Sequence, residues 1–129
     1  MSERLSLLCV SGTREKIQMA AMAAATAAAG GSEVLVFLSM NALGYFVLGD
    51  QRKAPAEGEI GELMEQKNVP PFRRLFEQAK DLGGAQLYAC SMALDVLGID
   101  EGQLEPYIDG PMGLTRFLSD ASGGPILVF

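Results

Sequence analysis

The chain has 129 residues, 49% of them hydrophobic and 20% charged, which is the length of about one ordinary domain and the mixture of a folded protein rather than a disordered one. Its net charge of -6 argues against a nonspecific nucleic-acid binder, which must neutralise phosphate with cations. There is no histidine and there are only two cysteines, Cys9 and Cys90, so histidine-based triads, histidine metal sites and four-thiolate zinc sites are all excluded. No metal or cofactor is expected.

Met1 to Val10 lacks the apolar stretch and small-residue cleavage site of a secretory signal. The apolar run Ile17 to Ala29 is shorter than the ~20 residues that span a bilayer. The expectation is a single cytoplasmic domain over 1–129 without stable membrane insertion. Arg4 to Ser11 is a nearly continuous apolar strand, and Arg14 to Ala29 a helix of high intrinsic propensity, with Thr13 to cap it and Gly30-Gly31 to end it. Glu33 to Leu38 is a second buried strand, so the first third of the chain predicts a right-handed βαβ unit.

Asn41 to Leu48 follows the second strand directly. Tyr45 and Phe46 there either make an exposed lid or oligomer contact or fold back into the core. Gly49 to Val69 is polar and irregular, with one turn of helix at Ile60 to Met64, and a segment of that length is usually functional or interfacial. Pro70-Pro71 opens a helix whose apolar positions are Phe72, Leu75, Phe76, Ala79 and Leu82. Gly83-Gly84 closes it.

Gln86 to Ala89 predicts a third strand, and Ser91 to Leu97 a helix stopped by Gly98. Glu105 to Ile108 is a short fourth strand weakened by Pro106, Met112 to Ala121 a helix, and Pro125 to Phe129 a final strand. The alternation implies a three-layer α/β/α sandwich with a mainly parallel sheet of about five strands.

Cys90 falls between a strand and a helix. At such a helix start, unpaired N–H groups and the positive dipole end favour a thiolate, and the carboxyl ends of parallel strands are where ligand crevices form. A packed, inert thiol is the competing reading. Cys9, inside the first strand, reads as structural, and a Cys9–Cys90 disulfide needs the first and third strands to be neighbours. The Ser11-Gly12-Thr13 turn with Lys16 is either a helix cap or an anion contact on the same crevice as Cys90. The candidate site is thus Cys90 as the reactive residue, with Gly12, Lys16, Asn41, Tyr45 and Ser91 as substrate contacts.

With Lys16 early in the first helix, an alanine-rich helix ending in GGSEVLVFLSMNALGYFVL, then YACSMALDVLGI and a terminal PILVF, the chain resembles the DsrE/DsrF-like sulfur-relay proteins, above all their peroxiredoxin-like DsrE branch. The resemblance implies a flavodoxin-like fold, trimers or hexamers, and a cysteine, matched by Cys90, that carries sulfane sulfur as a persulfide. Its partners would be sulfur donor and acceptor proteins or small sulfane-sulfur compounds. Peroxidase activity is not implied, because no proline-threonine-cysteine motif surrounds Cys90. The rival readings are a non-catalytic oligomeric module that binds a small ligand, and a thiol redox protein cycling a Cys9–Cys90 disulfide. A homo-oligomer is also expected from the alanine-rich helix, the Tyr45 to Leu48 patch and the apolar final strand.

Overall fold

The computed structural model describes residues 3–129, so Met1, where the leader reading begins, lies outside the described residues. Its strands are β1 (Arg4–Cys9), β2 (Glu33–Leu38), β3 (Gln86–Cys90), β4 (Gly110–Met112) and β5 (Ile126–Val128). All pairings are parallel, and the order is β4-β3-β2-β1-β5. The chain steps outward from β1 to β4 and then returns to lay β5 on the other flank of β1, an order of its own beside the 2-1-3-4-5 of flavodoxin.

The helices are α1 (Arg14–Ala29), α2 (Met40–Leu43), α3 (Glu59–Gln66), α4 (Phe72–Gly83), α5 (Ser91–Leu97) and α6 (Leu114–Asp120). Right-handed crossovers running in opposite directions along the sheet set α1 and α6 on opposite faces, which gives the three expected layers. On the first face α1 packs along α4. Their approach is close because α1 offers alanines and α4 ends in Gly83, where an added Cβ would stand 2.8 Å from the Ala28 carbonyl. On the second face α6 stacks Phe117 on Phe37 at a centroid distance of 4.8 Å and sets Arg116 over the Tyr88 ring.

Strand alternation sorts the core between these faces. Leu7, Cys9, Val36, Leu38, Leu87 and Ala89 point to the α1 and α4 side and are wholly buried. Leu8 and Tyr88 point to the α6 side and are only half-buried, because one short helix covers that face.

Three expectations change. Glu105 to Ile108 is not the fourth strand: Pro106 keeps it in turns, and β4 lies at Gly110–Met112, where Pro111 is tolerated on an edge strand. The single turn at Ile60 to Met64 is part of the eight-residue α3. Thr13 occupies the N-cap of α1 without a capping side-chain bond, since its hydroxyl donates to Glu57 instead.

Candidate functional site

Cys90 is the last residue of β3 and the N-cap of α5, and its side chain makes no cap hydrogen bond. Its register partner on β4 is Met112, so the next residues, Ser91 and Gly113, begin α5 and α6 side by side. An added Cβ on Gly113 would sit 3.9 Å from the Ser91 hydroxyl, in ordinary contact. Cys90 is itself 5% exposed, while Met92, Val96 and Leu97 of α5 and Leu114 and Leu118 of α6 are exposed.

Cys9 differs in its surroundings. Its register partner is Leu38, which pairs in turn with Ala89, so β2 lies between the two cysteine strands. At about 4.8 Å per strand spacing, two intervals exceed the roughly 7 Å that a disulfide spans. The two side chains also point to opposite faces, and both thiols are free. A Cys9–Cys90 redox couple within one chain is therefore ruled out by topology. Burial on all sides pushes the Cys9 thiol up to about 12.

Three of the expected contact residues do meet, at the ends of β1 and β2. Tyr45 donates its hydroxyl to the Gly12 carbonyl at 2.5 Å, and a Cβ on Gly12 would stand 2.7 Å from the Asn41 carbonyl. Only glycine fits there. Tyr45 and Phe46 are buried, with Phe46 edge-on to Phe76 at 5.5 Å, so the lid or oligomer-contact reading gives way to the core reading. Burial raises the Tyr45 phenol, and the nearby Arg52 and Arg73 offset part of that rise. This cluster joins the Cys90 end of the sheet through α2, which touches α5. Met40 begins α2 with φ at +50°, a left-handed conformation that is uncommon outside glycine.

Lys16 lies apart from this cluster in its bonding, with its ammonium on the Glu57 carboxylate at 3.3 Å. It belongs to a set of contacts that sequence reasoning missed. The first turns of α1 hold the irregular Gly49 to Val69 segment in place: the Glu15 carboxylate accepts the backbone N–H of Glu57 (2.8 Å), Gly58 (2.8 Å) and Gly61 (3.2 Å), and Gln18 donates to the Pro70 carbonyl at 2.9 Å. The bond from Glu57 above all holds the Glu15 carboxyl below its ordinary range. Arg73 fastens the start of the segment, donating to the carbonyls of Tyr45 and Arg52, each at 2.9 Å. Asp50 lies between Arg52 and Arg73; burial opposes its charge, but hydrogen bonds from Arg52 and the two guanidinium charges outweigh it and lower the pKa. The signal available in sequence was the charged run Arg14-Glu15-Lys16, with Gln18 close behind, preceding a segment of mixed charges.

The model of the DsrE/DsrF/DrsH-like family matches residues 53–129, more than half of the chain. The chain belongs to that family. The matched part contains Cys90 and Ser91, whereas Gly12, Lys16, Asn41, Tyr45 and Cys9 precede it. The DsrE-like family is associated with sulfur relay. A curated relative, the uncharacterised protein YrkE of Bacillus subtilis (strain 168), is 36% identical over 70 residues, which are 54% of this chain and 42% of that protein. The match thus spans less than half of the relative's length. Among solved structures, the ychN protein from E. coli superposes with a TM-score of 0.72 over 100% of both chains at 14% identity. A protein of unknown function from Methanobacterium thermoautotrophicum, MTH1491, superposes with a TM-score of 0.63 over 99% of this chain and 100% of its own, also at 14% identity. These likenesses confirm the DsrE-like fold. No described helix is long and apolar enough to cross a membrane.

Proposed function

We propose that this protein is a sulfur carrier in which Cys90 takes up sulfane sulfur as a persulfide and passes it to a partner thiol. The observation that supports this most is the place of Cys90, last in β3 and first before α5, within the part of the chain that matches the family. The Cys90 thiolate attacks the outer sulfur of a donor persulfide, forming a Cys90 S–S bond, and the donor thiolate leaves with the electron pair of the bond that breaks. An acceptor thiolate then attacks the terminal sulfur and releases the Cys90 thiolate. Neither step changes the net oxidation state, so no external oxidant or cofactor is required.

The sulfur stands at the N-cap of α5, and its register partner Met112 leads directly into the start of α6. Ser91 opens α5 directly after Cys90, and the Gly12, Asn41 and Tyr45 cluster fixes the neighbouring strand end. Donor and acceptor reach Cys90 across the apolar side chains of α5 and α6. That surface, together with the exposed Ile126, Leu127 and Val128 of β5, also suits assembly into a homo-oligomer of trimer or hexamer type in the cytoplasm.

Intact mass after incubation with a low-molecular-weight persulfide tests the reading. Wild type and Cys9→Ala gain one sulfur atom that reductant removes, and Cys90→Ala, folded by circular dichroism, gains none. Equal uptake by Cys90→Ala would overturn the assignment.

A further inference from the structure

The cations of this acidic chain are unevenly spread. Of its ten lysines and arginines, four (Arg14, Arg52, Lys53 and Arg73) line one cleft of about 280 Å³, where Glu65 is the single acidic lining residue. Apolar walls complete the cleft, from Ala54, Met64, Val69, Pro71 and Phe72. Two of the guanidinium groups are fixed by the backbone. Arg14 donates Nη1 to the Gly61 carbonyl at 2.6 Å, and Arg73 donates Nε and Nη2 to the carbonyls of Tyr45 and Arg52. Those bonds leave Nη2 of Arg14 and Nη1 of Arg73 without a protein acceptor among the described residues, on side chains only 19% and 26% exposed.

A guanidinium held rigid from behind with donors to spare is suited to a planar oxyanion, because little entropy remains to be lost when the pair forms. Asp50 balances part of the charge of Arg52 and Arg73, and Glu65 pairs with Lys53 and, at 3.5 Å, with Nη1 of Arg14, yet the cations remain in excess. The neighbouring Phe72 ring, 5.1 Å from the Arg73 guanidinium carbon, puts an apolar wall directly beside the charge. A cleft of this volume is near the size of sites that hold small molecules.

We propose that this cleft is a binding site for a small amphipathic carboxylate, its head group held by Arg14 and Arg73 and its apolar body against Val69 and Phe72. The site draws on α1, α3, α4 and the segment before α3, and on no residue of β3 or α5. It therefore stands independently of the chemistry at Cys90.

Calorimetric titration of the full chain with 4-phenylbutyrate, and with 4-phenylbutyramide as its uncharged counterpart, tests the proposal, with backbone amide NMR shifts to locate the ligand. Saturable binding of the carboxylate is expected, with the amide about tenfold weaker and shifts at Ala54 and Val69. Arg14→Gln is expected to weaken binding about tenfold, and Cys90→Ala to leave it unchanged. Should Arg14→Gln fail to fold, Arg73→Lys, which keeps the charge but loses the planar pair of donors, carries the same test and is likewise expected to weaken binding. Equal binding of carboxylate and amide, shifts confined to α5 and α6, or no saturable binding would each overturn the proposal.

Discussion

Cys9 and Cys90 both end parallel strands of one sheet, one on β1 and the other on β3, and the two strand ends are built differently. At the β1 end the sulfur points toward the face covered by α1 and α4, a 16-residue and a 12-residue helix, and nothing polar reaches it. The chain then runs on as irregular backbone, with Val10 and Ser11 both donating to the Phe129 carbonyl. At the β3 end the sulfur points toward the face covered by the seven-residue α6, and the chain turns at once into α5. Cys90 stands one residue beyond the level of Cys9, and that single step puts the two thiols on opposite faces. What separates them is which face is thickly covered and what the chain does next.

The β1 end can be broken most severely at Gly12. A methyl there meets the Asn41 carbonyl at 2.7 Å, so Gly12→Ala is expected to cost about 2 kcal/mol as backbone shifts to relieve the overlap. Urea unfolding measures this, and an unchanged midpoint would show that the corner yields freely.

Next in size is Cys9→Ala, expected to cost about 1.5 kcal/mol at neutral pH by opening a small void in a fully buried site. The same variant has a signature in alkali. Burial moves the Cys9 thiol from its ordinary 9.0 to about 12, so the folded chain keeps a proton that the unfolded chain has already released. The stability this represents is complete below pH 9.0 and drains away as the pH rises toward about 12. Wild type therefore loses stability over that window more steeply than Cys9→Ala. A smaller slope persists in the variant, because burial also raises the phenols of Tyr45 and Tyr107. Identical slopes would mean that Cys9 is hydrated in the folded state.

The smallest effect belongs to Tyr45→Phe. It removes the hydrogen bond to the Gly12 carbonyl but keeps the ring between its neighbours, so a loss of about 1 kcal/mol is expected in the same urea assay. A loss several times larger would make that bond the main tie between β1 and the segment after β2.

Much of this architecture was legible in sequence because it rests on local signals. The apolar runs at Leu5 to Val10 and Glu33 to Leu38, the helix stops at Gly84 and Gly98 and the opening at Pro71 all appear where the residues indicated, with φ of +72° at Gly84 and +68° at Gly98. The junction at Cys90 was readable for the same reason. Long-range relations were not. The placement of β2 between the cysteine strands, which excludes their disulfide, depends on strand order, and no residue of β1 or β3 encodes that order by itself. Glu105 to Ile108 carried the edge-strand expectation, and pairing with β3 puts the strand at Gly110–Met112 instead. The contacts of Glu15 and Arg73 with the segment after α2 join residues some thirty to forty positions apart in sequence, beyond the reach of periodicity or propensity.

The most direct test of the difference between the two strand ends is a competition between the thiols of the folded, wild-type protein. Iodoacetamide labelling at neutral pH, quenched over time and read by peptide mass, gives a rate for each cysteine. The account predicts that Cys90 is labelled while Cys9 reacts only at the rate of global unfolding, the two rates converging in urea. Labelling of Cys9 first, or equal rates in the native state, would contradict it.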